Sequence, residues 1–165
     1  MPDRRQNVKN TIRTAAIAFF GGVVLTAVVG WLAAPAVMIN EDPSSMSFEE
    51  TVQTIQDEAE AHDWAVPNVL RLDRSVAQNG YDVARVAVIE LCNPGHAGPI
   101  LETDKGRVVT SMMPCRVAVY ETSDGEVIVN RMNTGAVSRV FGGRVAETMA
   151  TATEETEAIF APVLE

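Results

Sequence analysis

Residues 115–131, CRVAVYETSDGEVIVNR, decide the fold. Two runs dense in β-branched and aromatic side chains, Cys115–Glu121 and residues 126–131, flank Ser123-Asp124-Gly125, so the stretch reads as a β-hairpin. Working back from it, residues 83–91 (VARVAVIEL) read as a strand buried on both faces over much of its length. Asn93-Pro94-Gly95 breaks that strand. A helix is expected from near Pro99, a residue suited to a first turn, and ending before Gly106. Residues 68–72 read as a short strand with Leu70 and Leu72 on one face, after Pro67 has stopped any helix. Ser47-Phe48-Glu49-Glu50 fits a capping box, and Phe48, Val52, Ile55 and Ala59 recur at helical spacing, so residues 47–62 read as an amphipathic helix. Beyond the hairpin, residues 136–161 are largely helical, with a break at Gly142-Gly143. Helices segregated from hairpin-linked strands give an α+β domain. Its expected form is a small antiparallel or mixed sheet with helices packed on it, in the order (β)-α-β-β-α-β-β-α, preceded by one transmembrane helix.

That preceding helix comes from a second stretch. No charged side chain occurs between Thr14 and Ile39, and residues 15–38 are almost wholly apolar, with Ala15, Phe19, Phe20 and Leu25 along the run and Trp31 near its far end. About 20 such residues cross the ~30 Å hydrocarbon layer as a helix. Arg4, Arg5, Lys9 and Arg13 lie before the run, and Glu41, Asp42, Glu49 and Glu50 follow it, which puts the N-terminus in the cytoplasm and the rest outside. The expected plan is a basic tail over residues 1–13, an inner-membrane span over 14–38, a linker or first strand over 39–46, and an extracytoplasmic (periplasmic) domain over 47–165. A cleaved signal peptide competes with this, through Ala34-Pro35-Ala36, but the run exceeds the usual 7–15 residues of such a signal. Arg4-Arg5 also resembles a twin-arginine start, although Gln6-Asn7-Val8 lacks the apolar pair expected after it.

The chain carries 13 basic and 22 acidic residues, a net charge of −9. Four cations and only Asp3 precede the apolar run, so the remainder holds nine cations against 21 acids and stands near −12. Such a domain repels phosphate backbones, which excludes nucleic acid as a partner.

The chemistry-bearing residues gather at strand ends. Cys92 ends one expected strand and Cys115 begins another, both beside prolines. His96 follows Cys92 by four residues, Met112 and Met113 precede Cys115, and Met132 closes the hairpin. Thiolate, imidazole and thioether form a soft ligand set suited to copper, zinc or haem iron. The spacing matches no zinc finger, haem-attachment or Cys-x-x-Cys motif. Three readings stay open. Cys92, Cys115, Met113, His96 and Met132 could bind a soft metal such as copper, or a haem-type ligand. A reactive thiol beside Arg116 could do redox or sulfur-carrier chemistry. A static Cys92–Cys115 disulfide, worth about 3 kcal/mol by loop closure, could staple an interaction domain. With two histidines and no Gly-x-Ser-x-Gly elbow, a hydrolase site is hard to assemble. Glu49, Glu50, Asp57, Glu58 and Glu60 read as one solvated helix face.

Several pieces together resemble a known family. Phe48-Glu49-Glu50-Thr51-Val52 opens the first helix. Glu90-Leu91-Cys92-Asn93-Pro94 ends the central strand, and Met112-Met113-Pro114-Cys115-Arg116 leads into Val119-Tyr120-Glu121. Ser123-Asp124-Gly125 and Arg131-Met132-Asn133 complete the hairpin. From about Met46 to Val163 the chain resembles the bacterial and archaeal family known as domain of unknown function 302, in a subgroup with cysteines at two places where other members carry apolar residues or glycine. The resemblance implies a compact, dimeric α+β domain. It implies no established activity and no catalytic residues.

Overall fold

The computed structural model describes residues 4–113 and 115–164. The chain divides into two units, Met1–Val37 and Met38–Glu165. The first is a helix, α1 (Arg4–Met38), which starts within the basic tail. Its apolar stretch Ile12–Met38 runs 27 residues. Phe19, Phe20, Leu25 and Trp31 stand exposed along it, and nothing in this unit covers them.

The second unit is built on a five-stranded sheet in the order β1-β5-β4-β3-β2, with every neighbouring pair antiparallel. Its elements are β1 (Ile39–Pro43), α2 (Phe48–Ala61), β2 (Ala65–Arg71), α3 (Leu72–Ala77), β3 (Val86–Cys92), α4 (Pro94–Leu101), α5 (Asp104–Arg107), β4 (Cys115–Glu121), β5 (Val127–Met132), α6 (Thr134–Ser138) and α7 (Gly143–Phe160). The α+β class and the expected element order hold. Residues 39–43, open between linker and strand in the sequence, form the edge strand β1 against β5.

Helices cover one face of the sheet. Ile89 lies opposite Val117, and Val119 opposite Val129, so these side chains share the covered face and are fully buried. Phe48, Ile55 and Ala59 of α2 pack on them, with Ile159 and Phe160 of α7. Each large apolar side chain so buried contributes roughly 1.5–3 kcal/mol. Ser47 starts α2 as the capping box requires. Glu50 Oε2 accepts from the Ser47 backbone N–H at 3.1 Å and from the Ser47 hydroxyl at 2.6 Å.

Three expectations shift. The central strand begins at Val86 rather than Val83 and alternates, with Ala87, Ile89 and Leu91 buried and Val88 and Glu90 half-exposed. A sheet covered on one side needs only one apolar face. The helix expected near Pro99 begins at Pro94, because Asn93 Oδ1 accepts from Gly95 N–H at 2.9 Å and Pro94 takes the first turn. Strand β2 starts at Ala65 and carries Pro67 in an irregular step between Ala65 and Asn68, tolerable on an edge strand. Leu72 has already turned into α3, so it does not share a face with Leu70.

Candidate functional site

Strand register decides how the cysteines meet. Cys92 is the last residue of β3 and Cys115 the first of β4, as the sequence places them. Leu91, not Cys92, lies opposite Cys115. Cys115 therefore shares the covered face with Leu91, and Cys92 stands one step out of register. Both thiols are free and half-buried. Both border one small cavity of about 30 Å³ with Trp64, His96, Met113 and Met149.

A larger cavity adjoins it. About 160 Å³ in volume, it is lined by Met112, Met113, Cys115, Met132 and Met149, together with Arg116, Phe141, two valines and three hydroxyl side chains. A 3-10 turn (Thr110–Met112) and the residue after it supply the first two methionines, the end of β5 the third and α7 the last. Four of the chain's seven methionines thus face one cavity with a cysteine. A third, smaller space also touches Cys115, Met132 and Met149. Cys115 and Met149 are walls common to all three. The sequence singled out Cys115, Met113 and Met132, and the fold brings them together. It did not single out Met149, although Met149, Ala152, Thr156 and Ile159 recur at helical spacing on α7 and mark its inward stripe. Pro114 lies outside the described residues.

One cation, Arg116, borders the sulfur groups of this cavity. Burial pushes the Cys115 thiol above its ordinary range, and the nearby Cys92 adds to this. Arg116, the cation that could have lowered it, spends its guanidinium on Glu90, with Nε and Nη2 each donating to Oε1 at 3.1 Å. Among the described residues no three histidine, cysteine or carboxylate groups come together as a metal site. The donors that share the larger cavity are one thiol, four thioethers and the hydroxyls of Ser111, Thr134 and Ser138, and the small one adds Cys92 and His96.

His96 is not free in solvent. The N-cap at Asn93 sets it in the first turn of α4, where its Nε2 lies 2.7 Å from Glu155 Oε2 and its ring lies 5.6 Å from Trp64. The buried Trp64 indole donates to the same carboxylate oxygen at 3.0 Å. Glu155 is held below the usual carboxylate range, first by His96 and then by Trp64. His96 reaches the small cavity but not the lining of the large one.

Arg131 was also missed. It follows Val127 and Val129 on the covered face, and alternation in EVIVNR is the signal that could have found it. Its guanidinium donates to Asp42 at 2.6 Å and to both oxygens of Glu157 at 2.8 and 2.7 Å, and lies 5.5 Å from the Phe160 ring centre.

The model for the domain of unknown function DUF302 matches residues 41–162. The chain belongs to the DUF302 family. A crystal structure of an uncharacterized conserved DUF302 protein from Bacillus stearothermophilus superposes with a TM-score of 0.67 at 17% identity, over 75% of this chain and 96% of that one. At that identity the likeness is one of fold. No functionally curated protein matches. Every residue of the sulfur-lined cavity lies within the DUF302 match.

Proposed function

We propose that this DUF302 domain is an extracytoplasmic binding module that holds one Cu(I) ion through Cys115 and the thioethers of Met113, Met132 and Met149. The observation that carries the reading is the cavity in which one thiol and four thioethers share walls. Thioethers prefer Cu(I) and are poor ligands for harder ions. Charge favours the same ion. Cys115 is protonated when alone in its low-dielectric site, and a monovalent cation replacing that proton leaves the site's charge unchanged. A divalent ion would leave a buried surplus positive charge, which is costly. Haem is disfavoured by size, since 160 Å³ is below the ~300 Å³ at which pockets for drug-sized ligands begin.

The helix Ile12–Met38 supports the address. At about 1.5 Å per residue it exceeds the ~30 Å layer, with Arg4, Arg5 and Lys9 before it, Arg13 at its start and acids after it. Retained as an anchor or removed as a signal, it delivers the domain to the same non-cytoplasmic space. Thiol redox chemistry fits less well, because it needs a thiolate near neutral pH and the surroundings of Cys115 oppose one.

The test is anaerobic titration of the domain with Cu(I) against a competing chelator and a pH indicator. One equivalent is expected to bind, releasing about one proton. Cys115→Ser should weaken binding by tenfold or more, on the scale by which metal-site changes act. If Cys115→Ser binds copper as tightly as the parent, the assignment fails.

A further inference from the structure

One end of the domain differs in charge from the rest. Five of the nine cations that follow the apolar helix, Lys105, Arg107, Arg116, Arg139 and Arg144, are exposed within 40 residues of sequence. The carboxylates ion-paired with them are three, Glu90, Glu102 and Asp104. Glu147 also stands beside them, three residues after Arg144 on α7, and the remaining four cations and seventeen carboxylates belong to the rest of a strongly acidic domain.

Apolar side chains stand among these cations. Val140 is 85% exposed and Phe141 44%, in the turn Arg139-Val140-Phe141-Gly142-Gly143-Arg144, and Val108 is 70% exposed just after Lys105-Gly106-Arg107. Lys105 and Gly106 border one cleft with Phe141, Gly142, Gly143 and Arg144. Neither is loosely held. Gly142 and Gly143 both take positive φ, +64° and +51°, which bends the chain sharply between Phe141 and α7. Gly106 sits so close to Ile100 that an added Cβ would lie 1.8 Å from its carbonyl oxygen, so the turn before Val108 is pinned to α4.

The first residues of the second unit pair near the end of β5. Asn133 N–H donates to the Met38 carbonyl at 2.8 Å and Ile39 pairs with Met132. From there α6, five residues long and so about 7.5 Å, leads to Arg139. Exposed apolar tips collared by Arg and Lys are what an anionic lipid surface binds, as apolar groups enter the headgroup region and cations meet phosphate.

We infer that the turns carrying Val108 and Val140-Phe141, with their surrounding cations, form a docking face for an anionic phospholipid bilayer. The face uses none of the proposed copper ligands, and it shares Phe141 and Arg116 with the lining of that cavity.

The experiment uses residues 39–165, which lie within the compact unit Met38–Glu165, first checked for a cooperative unfolding transition and then sedimented with vesicles. Wild-type domain is expected to bind phosphatidylglycerol vesicles at low salt, to bind phosphatidylcholine vesicles roughly tenfold less, and to be released by high salt. Val140→Asp/Phe141→Asp and, separately, Arg139→Glu/Arg144→Glu should each lower binding by roughly tenfold or more while leaving the unfolding temperature unchanged. Equal binding by wild type and the two double variants would overturn the assignment, and so would equal binding to neutral vesicles. Retention on immobilised polyglutamate without any on phosphatidylglycerol would make this a face for acidic proteins and would equally overturn it.

Discussion

The sheet's covered face is packed differently at its two ends. Under α2, the rigid side chains of Phe48, Ile55, Val119 and Val129 leave no accessible surface. Where β4 begins and β5 ends, beneath α6 and the start of α7, the space is bounded by methionines and Cys115, and about 160 Å³ stays open. Branched and aromatic residues interlock in few rotamers, whereas methionine has three flexible bonds and a polarizable sulfur. The contrast teaches that one end of this layer serves stability and the other retains room for a ligand.

The sharpest way to break the comparison is to truncate each end. Phe48→Ala should cost about 3–5 kcal/mol in urea unfolding, the cavity cost of a fully buried aromatic. Met149→Leu conserves volume and should cost less than about 1.5 kcal/mol, yet weaken Cu(I) binding. Similar losses at the two positions would show that the sulfur-lined end is ordinary core.

Arg131 lies on the same covered face, and Arg131→Leu leaves Asp42 and Glu157 without their cation. Loss of one partner from a buried pair costs about 3–5 kcal/mol. Here the carboxylates are 45% and 42% exposed and remain partly hydrated, so the same unfolding measurement should give about 2 kcal/mol. A loss as large as that of Phe48→Ala would mean that the ion pairs, not the apolar packing, hold α7 to the sheet.

The smallest effect is in pH. Because the folded-state pKa of Cys115 is raised, its protonated form is favoured by folding. That contribution is complete below the ordinary thiol value of about 8.5 and is lost as pH climbs through the higher folded value. Stability should therefore decline on the alkaline side, less so in Cys115→Ser. Alkylation of Cys115 should be slow at neutral pH, with a midpoint above the ordinary one. An ordinary or lowered midpoint would return thiol chemistry to consideration.

Much of the architecture was legible because it rests on local rules. The Ser47 capping box, the Ser123-Asp124-Gly125 turn and alternation along β4 and β5 each depend on a few adjacent residues. The first residue of α4 was misread because Pro94 and Pro99 both suit a first turn, and the Asn93 side chain, by accepting from Gly95, decides between them. Burial of the central strand on both faces was misread because its apolar run does not reveal how many layers will cover it.

By itself, the sequence determined the element order, the apolar N-terminal helix, the acidic balance of the domain that follows it and the placing of Cys92 and Cys115 at strand ends. All are properties of neighbours along the chain. Only the tertiary structure decided that Leu91 faces Cys115, that Met149 joins Met112, Met113 and Met132 from 17 residues or more away, and that His96 is taken by Glu155. Those pairings depend on register and on how α7 lies across the sheet, which are set by the packing of whole elements and leave no mark in any short stretch of residues.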